Sequence, residues 1–142
     1  MLSKSTKSHI ALMEYKNPSN TATPPLIDVK GLSEALAAFA SERDWDQYHS
    51  PKNLAMAITG EVGELSEIFQ WLTEEDSKAV ATNPETATAV REELADVTLY
   101  LVRLASVLGV DLNEAVTQKL QMNAAKYPVD KAHGSHKKYD KL

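Results

Sequence analysis

Apolar residues recur every three or four positions through most of the chain after residue 27, which is the spacing of one face of an α-helix. No segment shows the alternation of apolar and polar residues that is typical of a half-buried strand. The first helical segment ends at about Arg43. The second begins at Ser50-Pro51, an N-cap residue followed by proline at the first helical position, and runs through Leu72.

Two further helices follow in the second half of the chain. The third is predicted to begin at Asn83-Pro84, which repeats the cap-and-proline signal, and to end at Gly109. The fourth begins with Asp111 as its cap and ends before Pro128. The acidic segment EED, between the second and third helices, is predicted to be a loop. The four segments together predict an all-α fold, a four-helix bundle.

The helical segments divide the chain into three regions. Residues 1–27, rich in Ser, Thr, Lys, Asn and Pro, are predicted to form a flexible, disordered arm. Residues 28–128 are predicted to form the all-α domain, and residues 129–142 a basic, irregular tail. His133 and His136 in the tail can be interpreted as a metal-binding pair, but a solvated terminal stretch is the interpretation that we favour.

Two acidic residues interrupt the apolar face of the second helix. On a helical projection, Glu61 and Glu64 lie at the flank of the apolar stripe and close to each other, because residues three apart are neighbours on a helix surface. Glu67 projects to the opposite side, where we expect an ordinary surface acid. The stripe consists of Ile58, Val62, Leu65, Phe69 and Leu72.

The third helix repeats this arrangement, with Glu93 inside its apolar arc and Asp96 at the edge, whereas Glu92 projects outward. Its segment VTLYLVRLASVL is apolar on nearly every side, so we expect this helix to be central. One neighbouring helix cannot cover so much apolar surface, and a lone four-helix protomer buries little. We therefore predict a homo-oligomer, either a dimer or a tetramer.

The two carboxylate pairs, Glu61/Glu64 and Glu93/Asp96, lie on helices that must pack together. Carboxylates in contact repel each other by about 4 kcal/mol at an effective dielectric constant near 20, so the cluster needs protons or a cation. All-oxygen ligation suits a hard ion such as Mg²⁺ or Mn²⁺. The alternative is that these acids form salt bridges with Lys or Arg. A ferritin-type di-iron site is disfavoured, because these helices lack the required ExxH motif.

The distribution of charge along the chain limits which kinds of molecule the protein can bind. The net charge is −5, but the acidic residues are concentrated in the middle of the chain. Residues 31–125 carry a net charge of −10, because the two ends hold nine of the 15 basic residues and only four of the 20 acidic ones. Such an acidic region argues against nucleic-acid binding and implies that a phosphorylated ligand is bound through a metal ion.

Composition excludes several other classes. The chain has no Cys, which rules out disulfide frameworks, thiolate metal sites and Cys nucleophiles. It has no apolar run of about 18 residues, so no membrane span is predicted. The first ten residues lack the apolar core of a signal peptide, and we predict a cytoplasmic protein. Gly60 and Gly63 lie within a helix, and no Gly-rich phosphate loop is present, which argues against a P-loop enzyme.

The segments GEVGELSEIFQW and EELADVTLYLVRLA closely resemble the MazG-like all-α nucleoside triphosphate pyrophosphohydrolases. The flanking segments ERDWDQYHSPKNLAMAI, KYP and KKYDKL are similar to the dCTP pyrophosphatase branch of that family. The resemblance covers residues 28–142. It implies a four-helix fold assembled as a dimer or a dimer of dimers, and Mg²⁺-dependent cleavage of a dNTP to dNMP and pyrophosphate. It also implies that the metal ligands and catalytic residues are Glu61, Glu64, Glu93 and Asp96.

The resemblance also suggests which residues contact the nucleotide. An aromatic group that encloses the base, with an Asn near it, is expected among Trp45, His49, Asn53, Trp71, Tyr100 and Asn123. Phosphate oxygens are expected to meet residues at the end of the fourth helix, which are Lys119, Lys126 and Tyr127. The alternatives are that the aromatic residues are core and that the lysines form a solvated face.

Two other functions remain open from the sequence. The same chemistry can act on another base, in dUTP, dATP or a modified dNTP. A catalytically silent helical module for oligomerisation or nucleotide sensing is the alternative from a different class. The acids at core-facing positions argue against the silent module, because a scaffold has no need of them.

Overall fold

The computed structural model describes residues 25–141, and all of its regular elements are helical. No strand occurs in that part of the chain. The predicted arm at residues 1–27 lies, except for its last three residues, outside the described residues. The α-helices are α1 Lys30–Glu42, α2 Pro51–Phe69, α3 Glu74–Ser77, α4 Ala87–Leu108, α5 Leu112–Lys126 and α6 Val129–Ala132. Short 3₁₀ helices lie at Asp46–Tyr48 and Tyr139–Lys141.

Helix α4 is the centre of the described structure, as its apolar circumference predicts. It packs along α2 and also contacts α1. The core lies at these contacts, where apolar side chains from three helices and the α3–α4 connection leave the solvent. Its buried members are Ala40, Leu54, Val80, Val90, Val102 and Ala105. The packing of α4 on α2 is what brings their acidic residues together.

The predicted termini of the long helices depend on specific caps. The Ser50 hydroxyl accepts the backbone N–H of Asn53 at 3.2 Å and begins α2. Asp111 caps α5 in the same way, accepting the backbone N–H of Glu114 at 2.9 Å. Gly109 ends α4 with a φ of 66°, a left-handed conformation that glycine adopts without strain. The sequence prediction of these three boundaries is confirmed.

Three predictions of local structure are wrong. The EED segment is a short helix, because the Thr73 hydroxyl accepts the backbone N–H of Asp76 and caps it. Helix α4 begins at Ala87 and not at Pro84, because the carbonyl of Asn83 closes a turn by accepting the N–H of Ala87 at 2.8 Å. The basic tail is not wholly irregular, since it contains α6 and the second 3₁₀ helix.

Much apolar surface remains exposed on α4 and α5. Leu94 and Leu108 on α4, and Leu120 on α5, are each about half exposed. Within residues 25–141, no helix is both long and apolar enough to cross a membrane. The exposed apolar surface of α4 and α5 is available for helix packing between protomers, as the predicted homo-oligomer requires.

Candidate active site

Three of the four predicted carboxylates meet where α2 packs against α4. Glu61 and Glu64 lie one turn apart on α2, and Glu93 faces them from α4. One carboxylate oxygen from each of the three residues lies within 4.8 Å of the others. Glu61 and Glu93 are half-buried, whereas Glu64 is exposed. The cluster is therefore open to solvent on one side.

The electrostatics of the cluster favour its neutralisation. Partial burial raises the pKa of Glu61 above its ordinary value of 4.5, and the negative charges of Glu64 and Asp96 raise it further. Burial likewise raises the pKa of Glu93, and the charges of Glu64, Glu61, Asp96 and Glu92 add to the effect. Both groups therefore lose their protons less readily than an isolated glutamate does.

No salt bridge compensates these acids in the part of the chain that the structure describes. None of the ion pairs there includes Glu61, Glu64, Glu93 or Asp96. The Oε2 atom of Glu93 is buried and has no hydrogen-bond partner. A buried acceptor without a donor costs free energy, and an oxygen-seeking divalent cation would remove that cost. The three carboxylates therefore fit a hard metal ion, and no ion pair of residues 25–141 supports the salt-bridge alternative.

Asp96 lies next to this group but faces a different space. Its carboxylate is not among the three that lie within 4.8 Å of one another. It is close enough for its charge to raise the pKa of both Glu61 and Glu93. It also lines a pocket between α1, the 3₁₀ connection and α4. Asp96 is thus the residue that connects the acidic cluster to the pocket.

The pocket has a volume of about 230 Å³ and brings together three of the predicted base-binding residues. Trp45, His49 and Tyr100 line it together with apolar side chains of α1 and α4. The rings of Trp45 and His49 meet edge to face, with centroids 6.3 Å apart. The complete lining of the pocket consists of Leu36, Phe39, Trp45, His49, Asp96, Leu99, Tyr100 and Arg103.

Arg103 is the pocket residue that the sequence analysis missed. It is buried, and its Nε donates a hydrogen bond to Nδ1 of His49 at 3.1 Å. Its Nη2 donates to the carboxylate of Asp46, with which it forms an ion pair. The available signal was its position, because it is the one charged residue in the apolar segment VTLYLVRLASVL.

Two other predicted base contacts lie away from this pocket within the chain. The Trp71 side chain follows the end of α2 and is 88% exposed. Asn53 lies in the first turn of α2, where its side-chain amide donates to the carbonyl of Tyr48 at 3.0 Å. That bond holds the 3₁₀ connection against α2 and so helps to place the pocket wall. The roles of Trp71 and Asn53 in base binding stay predictions.

The remaining predicted contacts lie on or just after α5. Lys119 and Asn123 line a shallow, open depression on that helix. Tyr127 packs edge to face on Tyr139, with ring centroids 6.0 Å apart, and the Nζ of Lys126 lies 5.1 Å from the Tyr139 ring centroid. These residues are exposed, and their contact with phosphate stays a prediction. His133 and His136 belong to no group of three or more metal-ligating side chains in residues 25–141.

Comparisons with known proteins agree with this architecture. Residues 56–142 match the model of the MazG-like family. The chain is 45% identical to dCTP pyrophosphatase 1 of Bos taurus over 124 residues, which covers 87% of this chain and 72% of that protein. It is also 45% identical to dCTP pyrophosphatase 1 of Homo sapiens over 119 residues, with coverage of 84% and 68%.

A solved structure extends the similarity to the fold. The crystal structure of a pyrophosphatase from Archaeoglobus fulgidus superposes with a TM-score of 0.65 at 40% sequence identity. The superposition covers 70% of this chain and 92% of that one.

Proposed function

The chain belongs to the MazG-like family, and on that basis we propose that it hydrolyses a dNTP, preferentially dCTP, to dNMP and pyrophosphate with the help of Mg²⁺. The observation that carries the proposal is the acidic cluster, with its unpartnered Glu93 oxygen, beside an aromatic pocket. The biological role that follows is the removal of unwanted or excess nucleotides from the pool.

We assign Glu61, Glu64 and Glu93 as metal ligands, and Asp96 as the fourth, on the side that faces the pocket. Mg²⁺ bound there, or Mn²⁺ in its place, would polarise phosphoryl oxygens and lower the pKa of a bound water. The positive charge of the ion would also compensate the repulsion between the carboxylates of the cleft. A carboxylate oxygen that is not used in ligation accepts the proton of the attacking water.

The pocket supplies the binding site for the base. The Trp45 ring offers a stacking surface, and His49 and Tyr100 offer hydrogen-bonding groups in the same pocket. Stacking is worth about 1–3 kcal/mol per base and tolerates any base, whereas hydrogen bonds to the base edge discriminate between bases. The similarity to dCTP pyrophosphatase 1 of Bos taurus and Homo sapiens supports the preference for dCTP.

We propose that the triphosphate extends from this pocket across the metal ligands toward Lys119, Lys126 and Tyr127. The lysine ammonium groups would come from α5 of the same protomer or of a second protomer in a homo-oligomer. The reaction takes place in the cytoplasm, where the dNTP pool is used, and involves no nucleic acid.

The test is pyrophosphate release from a panel of dNTPs, with Mg²⁺ and with EDTA. We expect turnover of dCTP above that of dUTP, dATP, dGTP and dTTP, and loss of all turnover in EDTA. Faster turnover of another dNTP would support the proposed hydrolysis but refute the preference for dCTP. Nucleotide binding without pyrophosphate release would identify a silent sensing module and refute the enzymatic proposal.

A further inference from the structure

Arg103 is the one charged residue that is buried in the described part of the chain, with 8% of its surface exposed. A guanidinium with so little exposure to water is costly unless acceptors and a negative charge compensate it. Two of its nitrogens are used, by the ring of His49 and by the carboxylate of Asp46. Both partners lie in the connection before α2, more than 50 residues away in the sequence.

The contact with His49 determines the protonation of the imidazole. A guanidinium is always protonated and only donates hydrogen bonds, so Nδ1 of His49 must be the acceptor. An imidazole that accepts at Nδ1 is neutral and carries its proton on Nε2. Nε2 has no hydrogen-bond partner among the residues that the structure describes. His49 also lines the pocket, so its ring borders the space that a bound molecule would occupy.

The contact with Asp46 has a different consequence. Asp46 is more than half exposed, so its carboxylate can be solvated without Arg103, but it balances the buried positive charge. Asp46 is the first residue of a single 3₁₀ turn and His49 directly follows its last, so Arg103 binds both ends of that turn to α4. Trp45 precedes the same turn, so the pocket wall is fixed as a unit.

We infer that Arg103 is a positioning residue, which fixes His49 as the neutral Nε2–H tautomer and thereby presents a hydrogen-bond donor to an acceptor atom of the nucleobase. The inference rests on the proposed function in one respect, namely that the pocket binds the base. The alternative is a purely structural bond between the 3₁₀ connection and α4. The two differ in whether the effect of Arg103 on substrate passes through His49.

The first experiment observes the tautomer without substrate. Two-bond ¹H–¹⁵N correlation spectra of the histidine side chains, assigned with a His49→Ala variant, report which ring nitrogen is protonated. We expect the Nε2–H pattern for His49 in the wild type and in Asp46→Asn, which keeps the Arg103 contact. Arg103→Met, similar in length and apolar, should shift His49 to a mixture of tautomers. An unchanged pattern in a folded Arg103→Met protein would overturn the inference.

The second experiment measures kinetics with dCTP. Arg103→Met should raise KM about tenfold and change kcat little, because one hydrogen bond to the base is lost. In a His49→Ala background the same substitution should raise KM by less than about twofold, since the pathway through His49 is already removed. Arg91→Gln is the matched control, because Arg91 is an exposed arginine of α4 that donates to the carbonyl of Ala81 at 3.1 Å.

The outcomes separate the inference from the proposed function. If Arg103→Met raises KM as much in the His49→Ala background as alone, Arg103 acts structurally and the inference is wrong. If the wild type releases no pyrophosphate from any dNTP, the proposed function fails. The tautomer spectra then still decide whether Arg103 controls His49.

Discussion

At the level of single residues, Glu61 and Glu93 contribute to the way in which the stability of the metal-free protein depends on pH. Burial and neighbouring acids raise the pKa of both above 4.5 in the folded state, whereas they ionise near that value when unfolded. At a pH between the pKa of the unfolded state and the higher pKa of the folded state, the folded protein keeps protons that the unfolded chain has released. Their contribution to stability is therefore largest in acid and is lost as the pH rises through the folded pKa.

We predict that Glu93→Gln raises the melting temperature of the metal-free protein at pH 7, because it removes a charge from this cluster. The gain should shrink as the pH falls below about 4, because Glu93 then becomes protonated in both states. Thermal unfolding in EDTA across this range measures it. Glu67→Gln, at an exposed position of α2, should show no such trend. A Glu93→Gln protein that is less stable than the wild type at pH 7 would contradict the prediction.

The two tryptophans allow a separate prediction about substrate. Trp45→Ala should raise KM for every accepted nucleotide by roughly tenfold to a hundredfold, because stacking does not depend on base identity. The same result is predicted for Trp71→Ala, although Trp71 is exposed in the single chain and needs a partner surface to enclose a base. Steady-state kinetics with several dNTPs measures both. An unchanged KM in Trp71→Ala would place the base away from Trp71.

Residue-level prediction worked where it depended on one helix. The projection of α2 and α4 identified Glu61, Glu64 and Glu93, which the structure brings together. It could not give the rotation of α4 relative to α2, which directs Asp96 toward the pocket as well. Arg103 was missed because its partners are 54 and 57 residues away, and a projection contains no such contacts.

At the level of elements, side-chain caps mark the first turns of α2 and α5. We predict that Ser50→Ala lowers the free energy of unfolding by about 1 kcal/mol, because the N–H of Asn53 loses its acceptor at the start of α2. Urea denaturation measures the loss. Ser41→Ala is the control, since Ser41 is exposed near the end of α1 and caps no helix. Equal stability of the Ser50→Ala protein and the wild type would show that the cap contributes nothing.

Helix existence was easier to predict than helix boundaries. Ser50-Pro51 and Asn83-Pro84 look alike in sequence, yet only the first begins a helix. Both dipeptides are compatible with a cap or a turn, and Asn-Pro is also a turn initiator. At Asn83 the turn forms, and the helix follows it at Ala87. The dipeptide alone does not distinguish these outcomes, whereas the fold buries Val80 before the turn and Val90 after it.

At the level of the whole molecule, the exposed apolar surface predicts assembly. Val116 and Leu120 lie one turn apart on α5 and are exposed, as are several leucines of α4. We predict a dimer or tetramer by light scattering at micromolar concentration, and a shift toward smaller species in Leu120→Glu. Gln118→Glu, on the other side of α5, should not change the assembly. A monomeric wild type would contradict this prediction.

The most direct test of the central claim compares two glutamates of α2 in Mg²⁺-dependent turnover of dCTP. Glu64 belongs to the acidic cluster, whereas Glu67 is exposed and lies on another side of the helix. We predict that Glu64→Gln lowers kcat/KM by more than about a hundredfold, beyond the usual cost of losing an outer partner of a metal ligand. Mg²⁺ should also stop raising the melting temperature of that variant, while Glu67→Gln behaves as the wild type. Wild-type turnover in Glu64→Gln would contradict the assignment of the acidic cluster as the catalytic metal site.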